Sequence, residues 1–397
     1  MTNRTGKARI VVLALAGLWA VCPQAVGDSE GLYVKQGVLM RVGMPYRGMG
    51  VNYYTCFNTL LAHSENRDFI EGFRILREKY DIPFIRFAAC PYGSKDWELY
   101  AGNPEEYFRR MDLVVHEAEK EHLGLIPSLF WLRTAVGDWC GEPLGRLGDP
   151  QSKTRAFYRK YAADMAARYK DSSAIWGWEI GNEYMLGADL PKLNHLPKPK
   201  TGSNEPRTVE DKIFRPMVIG VYMDVYSAIR AIDPDRIIVT GDSLTREAAW
   251  YNHCKDDWGL DSRKQWLEMF AADTPDCFKA VSIHLYPEHD QHYFAGEKAA
   301  IEDLVAVAVR NSHGRGKPVW CGEFGAGACG KGETGMVQRM FRMIQENHIE
   351  LSALWNFVPS GTFQSDADIT PDNQRTWMLS EIKRFNENLE ESARGDQ

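Results

Sequence analysis

The feature that most constrains this chain is a beat of eight short apolar runs rich in β-branched residues, alternating with longer stretches of helical period. The runs cover residues 48–53, 83–87, 124–130, 175–180, 236–240, 280–285, 318–322 and 352–357. Helix candidates fall at 104–121 behind an Asn103 cap, 153–169, 209–232, 301–310, 335–347 and 373–388. Eight strand–helix units predict an α/β fold, a single (β/α)8 TIM barrel with enlarged βα loops. Ahead of the first barrel strand, residues 32–42 alternate around Gln36-Gly37 and Met44-Pro45 leads into Tyr46, the pattern of an N-terminal β-hairpin.

Composition narrows the partners. The chain has 397 residues, 44% of them hydrophobic, and a formal net charge of −7. That balance suits a globular domain and offers no clustered basic footprint for nucleic acid or an anionic membrane. Arg4, Lys7 and Arg9, an apolar run over 10–21 and Ala25-Val26-Gly27 read as a secretory signal over residues 1–27. The run is short against the roughly 20 residues of a spanning helix. Val21 precedes Cys22, which disfavours a lipid anchor. The expectation is a secreted or periplasmic protein, with residues 28–397 as one catalytic domain and no separate binding module. Seven cysteines lie beyond that signal, without metal-type CxxC spacing; a Cys90–Cys140 bridge is conceivable, and spacing alone assigns no pairing. Residues 190–207, rich in Pro and Lys, read as a long loop after strand four, and 390–397 as a disordered tail.

Barrel chemistry sits at the C-terminal ends of the strands, and two of those ends carry glutamate. Strand four ends in Gly181-Asn182-Glu183 and strand seven runs into Glu323-Phe324-Gly325. Cleaving a glycosidic bond requires an acid to protonate the leaving oxygen and a second carboxylate to attack the anomeric carbon or activate water. A spacing of about 5–5.5 Å implies retention, and roughly 6.5–9.5 Å inversion.

With these ends, His284-Leu285-Tyr286 closing strand six, Ile85-Arg86-Phe87 on strand two, Gly50-Val51-Asn52-Tyr53 on strand one and Leu354-Trp355-Asn356 on strand eight, the chain resembles the family-5 glycoside hydrolases of clan A. The resemblance implies retaining hydrolysis of a β-1,4-mannan or β-1,4-glucan type of polysaccharide or oligosaccharide without a cofactor. It makes Glu183 the acid/base, which must keep its proton near neutrality, and Glu323 the nucleophile, held ionised by Arg86 and Tyr286. Asn182 would hydrogen-bond the sugar 2-hydroxyl, His284 bind sugar or steer a carboxylate, and Trp355 form an aromatic floor. Trp131 and Trp139 would be further walls, with Trp131 similar to the mannanase branch. Tyr184 stands where the family usually has Pro, and strand three lacks the histidine of many family cellulases.

Plainer readings apply elsewhere. Asn204-Glu205-Pro206 matches the Asn-Glu motif by letter, yet no apolar strand leads into it. Glu179 lies on the same strand face as Glu183 and reads as a buried partner of Arg86. Trp176 and Trp320 read as core. His284, His289, Asp290 and His292 have ligand chemistry, but strand six accounts for the first and a polar loop for the rest, so no metal is expected. A carbohydrate-binding barrel without catalysis is the rival from another class, and a metal-dependent barrel hydrolase the second.

Overall fold

In the computed structural model, which describes residues 30–93, 95–192, 206–287, 294–326, 332–359 and 367–395, the eight runs become eight parallel strands. They are β1 (Gly48–Asn52), β2 (Phe84–Ala88), β3 (Gly124–Phe130), β4 (Gly177–Gly181), β5 (Ile237–Val239), β6 (Val281–Leu285), β7 (Val319–Phe324) and β8 (Leu351–Leu354). Every residue in them is buried. Continuous apolar runs are what a parallel sheet covered on both faces demands. The ladder runs β5-β4-β3-β2-β1-β8-β7-β6. At its open seam the Gly241 N–H just beyond β5 donates to Ser282 Oγ of β6 at 3.0 Å. The (β/α)8 barrel is thereby nearly closed.

Alternation along the strands sorts the interior into layers. At the N-terminal end, Phe84, Ile126, Trp176, Ile237, Val239 and Trp320 form an apolar plug. The predicted hairpin, strands Leu32–Lys35 and Val38–Arg41 extended by Met44–Pro45, packs Leu32 and Leu39 into that plug. The Leu32 N–H donates to Trp176 O at 2.7 Å, and the Arg41 guanidinium lies 3.8 Å over the Trp176 ring. Trp176 and Trp320 are core, as expected. Two residues further along β2 and β4 the layer turns polar: Phe84 gives way to Arg86, and Gly177 to Glu179. This apolar floor positions the site above it.

Several expectations are corrected. The helix expected over 209–232 divides into a 3-10 turn (Val209–Asp211) and a helix (Arg215–Arg230), because Pro216 can stand only in a helix's first turn. Helices at Cys56–Ala62, Asp68–Arg74, Ala249–Lys255 and Arg263–Asp273 were not read from periodicity; the first, second and third are only seven residues long. The tail expected to be disordered from 390 continues the helix Trp377–Gly395. Asn386 anchors that helix through paired hydrogen bonds with the Met49 backbone (2.9 Å each), and good helix formers propagate from the anchor. Cys90 and Cys140 are not bridged: the six described cysteines are all free thiols. Cys90 is buried and accepts a hydrogen bond from the Trp131 N–H. The signal segment, Cys22, Cys329, Asn204, Glu205, most of the 190–207 loop, and His289, Asp290 and His292 lie outside the described residues.

Candidate active site

The polar layer centres on Arg86, whose side chain is fully buried. Its Nε donates to Glu179 (2.8 and 3.0 Å), one terminal nitrogen to Glu323 Oε1 (2.6 Å) and Asn52 Oδ1 (3.1 Å), and the other to Asn182 Oδ1 (2.8 Å). Burial works against the cation, but the two carboxylates outweigh it and raise the Arg86 pKa. Glu179 is the buried partner expected for Arg86, and it also accepts from Trp320 Nε1 at 2.8 Å.

Glu323 arrives at the top of β7 through a bulge. Cys321 pairs with Ile283 and Glu323 with His284, so two residues of β7 are spent against one of β6. Gly322 makes that possible: a Cβ there would meet His284 Nε2 at 2.9 Å. Asn52 Nδ2 donates to the carbonyls of Gly322 and Ala353, satisfying the bulged backbone. Tyr286 donates its hydroxyl to Glu323 Oε2 at 2.6 Å. Each oxygen of this nearly buried carboxylate is thus held by its own donor, Oε1 by Arg86 and Oε2 by Tyr286.

Glu183 is presented differently. It sits just past β4 in the left-handed region (φ 55°), a conformation that costs energy for a residue with a side chain. Its N–H donates to Gly241 O (2.9 Å), and Gly241 itself has φ 78°. The following 3-10 turn, Tyr184–Gly187, is clamped by Asp242, which accepts from the Met185 N–H (3.0 Å) and the Tyr222 hydroxyl (2.7 Å). The Glu183 side chain is 28% exposed and faces the cleft. Its Oε1 lies 2.9 Å from His284 Nδ1, which is also 3.7 Å from Glu323 Oε2. Burial disfavours the His284 imidazolium, but Glu323 and Glu183 outweigh it and raise its pKa above the ordinary histidine value. Burial, reinforced by Glu323, likewise pushes the Tyr286 phenol upward.

One donor atom each from Glu183, His284 and Glu323 falls within 4.8 Å of the others. One oxygen of Glu183 thus lies within 4.8 Å of one oxygen of Glu323, a close approach consistent with a retaining pair. The trio also has metal-ligand chemistry, although here its donor atoms are engaged with Arg86, Tyr286 and one another.

Over this centre three rings pack nearly parallel. Tyr54 stacks on Trp355 (5.0 Å, 21°) and on Trp131 (5.9 Å), and Trp131 lies 6.0 Å from Trp355. Trp131 is 5% exposed and carries the Arg86 guanidinium 4.5 Å from its ring. Trp139 packs, partly buried, on the main core. The structure thus brings together all eight expected residues: Glu183, Glu323, Arg86, Asn182, His284, Tyr286, Trp355 and Trp131. Sequence reasoning missed Asn52, Tyr54, Asp242 and Tyr222. The only signal was position: Asn52 and Tyr54 sit at the end of β1, and Asp242 follows the Gly after β5.

Residues 84–361 match the family described as Cellulase (glycosyl hydrolase family 5). The chain belongs to glycosyl hydrolase family 5. This family-5 chain is 31% identical over 105 residues to a probable mannan endo-1,4-beta-mannosidase C of Aspergillus terreus. That stretch is 26% of this chain and spans only 21% of the relative. Among solved structures, an endo-1,4-beta-mannanase from Rhizomucor miehei superposes with a TM-score of 0.63 at 14% identity, covering 91% of this chain and 99% of that one. The endoglucanase catalytic domain of Thermobifida fusca gives 0.52 at 15% identity, covering 90% and 97%. At such identities these likenesses establish the shared barrel, as expected for this family of retaining glycoside hydrolases.

Proposed function

We propose that this chain hydrolyses a β-1,4-mannan or β-1,4-glucan type of polysaccharide or oligosaccharide, in endo fashion, by double displacement. The observation that carries the reading is the approach of one Glu183 oxygen to within 4.8 Å of one Glu323 oxygen, combined with their unlike settings. Glu323, oriented through both oxygens by Arg86 and Tyr286, is the nucleophile that attacks the anomeric carbon and forms the glycosyl-enzyme. Glu183, open to the cleft and in contact with His284, gives its proton to the leaving oxygen and then takes one from the incoming water. Asn182, whose Oδ1 accepts from Arg86, has its Nδ2 left for the sugar 2-hydroxyl. Trp355 supplies an aromatic face, with Trp131 behind it. The mannan preference draws support from the printed name of the Aspergillus terreus relative.

Residues 1–27 act, in this reading, as a secretory signal that delivers the enzyme outside the cytoplasm, supported by their basic start, apolar run and small-residue cleavage site. No helix among the described residues is long and apolar enough to cross a membrane.

The test is incubation with a panel of 2-deoxy-2-fluoro glycosides, followed by intact mass and peptide mapping. A sugar adduct on Glu323, and loss of turnover in Glu323→Ala, are expected. An adduct on another residue overturns the nucleophile assignment; binding of glycans with neither adduct nor cleavage favours a carbohydrate-binding barrel.

A further inference from the structure

Arg133 is a buried cation to which the double-displacement chemistry above gives no part. It lies just past β3, the neighbour of β4 in the ladder, and so reaches the turn Tyr184–Gly187 that follows Glu183. The contact is close: a Cβ on Gly187 would collide with Arg133 Nε and Cζ, so the guanidinium rests on the one residue of that turn without a side chain. The turn in turn holds the acid/base, since the Leu186 N–H donates to Glu183 O at 3.2 Å.

Arginines meet this turn from several sides, and their charges are balanced differently. Arg215, beside Met185 Sδ, has Asp189 and Asp273 as ion partners. Arg246, from the segment after β5, donates to Leu186 O. Arg133 has no carboxylate in ion-pair contact among the described residues, and its Nε is buried without a hydrogen-bond partner. Burial disfavours its charge and lowers its pKa, against the pull of Tyr184, Glu183, Tyr222 and Asp242. An arginine so lowered is still protonated at neutrality. Burial pushes the Tyr184 and Tyr222 phenols well above their ordinary value, so they stay neutral. It raises the Asp242 carboxyl too, which is engaged with Met185 and Tyr222. Glu183 is the member of this group whose charge changes during the reaction.

When Glu183 gives up its proton to the leaving oxygen, it becomes a carboxylate. A fixed cation nearby favours that charge and makes the group a stronger acid, at the cost of losing the proton at lower pH. His284, Tyr286 and Glu323 face Glu183 from the ends of β6 and β7. Glu323 opposes the ionisation as a like charge, and Arg133 favours it from the β3 side.

We propose that Arg133 is a positioning residue for the acid/base: it seats the turn behind Glu183, and its charge strengthens the acid that protonates the leaving oxygen and sets the alkaline limit of activity. The proposal rests on the hydrolase reading above. It is tested by pH profiles of kcat/KM for a β-1,4-linked oligosaccharide, whose leaving oxygen needs the proton, and a dinitrophenyl glycoside, whose leaving group does not. The proteins are the parent, the neutral variants Arg133→Met and Arg133→Gln, and the charged variant Arg133→Lys.

Both neutral variants should move the alkaline limb for the oligosaccharide about one pH unit higher, the low end of the effect of one opposite charge. Their plateau should fall about threefold, the square root of that change in acidity for a half-transferred proton. Dinitrophenyl glycoside cleavage should be unchanged, and Arg133→Lys should return the limb toward the parent. A limb that stays in place in the neutral variants, or equal losses on both substrates, gives Arg133 a packing role alone and overturns the proposal. A parent that cleaves neither substrate overturns the hydrolase reading instead, and the proposal with it.

Discussion

Replacing Glu179 by Gln is the sharpest probe of how the site is held, because the change is isosteric and leaves no cavity. Glu179 accepts from Arg86 Nε at 2.8 and 3.0 Å, lies 2.7 Å from a second Arg86 nitrogen, and accepts from Trp320 Nε1 at 2.8 Å. Both side chains of the ion pair are wholly buried. Gln offers one oxygen to these donors and turns an NH2 group toward the remainder, so a donor is left facing a donor in a dry layer. Breaking a buried pair costs about 3–5 kcal/mol. Arg86 retains Glu323, Asn52 and Asn182, which places this case at the lower end, about 3 kcal/mol. With an unfolding entropy of about 2.1 cal/mol/K per residue over a chain of 397 residues, the midpoint should fall by about 4 °C. Urea titration at an unchanged m-value, with thermal melting beside it, measures the loss. A variant within about 1 kcal/mol of the parent would refute the claim that Glu179 is the counter-charge on which Arg86 depends.

Three further outcomes follow from the same geometry. Tyr286→Phe removes one of the two donors on Glu323; hydrogen bonds to charged groups contribute about 1.5–3 kcal/mol, so kcat/KM should fall about 10- to 100-fold with the melting point little changed. Asp242→Asn weakens the clamp on the turn behind Glu183 and should lower kcat about tenfold while KM holds, as measured by steady-state kinetics on an aryl glycoside. The folded state holds the His284 proton more tightly than the unfolded chain does, because the histidine pKa is raised. Its contribution to stability is therefore fully present below about pH 6.5 and disappears as pH climbs through the raised value. Denaturation curves across that range should show the parent losing stability relative to His284→Asn as pH increases; parallel curves contradict the assignment.

The barrel was legible because its signals are local. Buried parallel strands are continuous apolar runs, amphipathic helices repeat every three to four residues, and neither pattern needs knowledge of distant chain. The short helices after β1 and β5 escaped because seven to eleven residues make only about two to three turns, too few repeats for the period to stand out, and the final helix extended past its pattern because Asn386 anchors it to β1. Strand ends carrying Glu183 and Glu323 could likewise be chosen from sequence, since reactive groups collect where barrel strands stop, whereas Arg86 and Trp355 are picked out by the family resemblance.

Taken alone, then, the order of residues determined the fold class and which carboxylates share one face of it. Only the tertiary structure decided their separation, because that depends on strands far apart in the chain meeting side by side. The bulge at Gly322 turns Glu323 inward, the left-handed backbone of Glu183 lifts it into the cleft, and Arg86 binds residues from β1, β4 and β7 at once. Tyr54 and Asp242 acquire their places the same way: nothing beside them in sequence hints at Trp355 or at the turn behind Glu183, and only closure of the barrel brings those partners within reach.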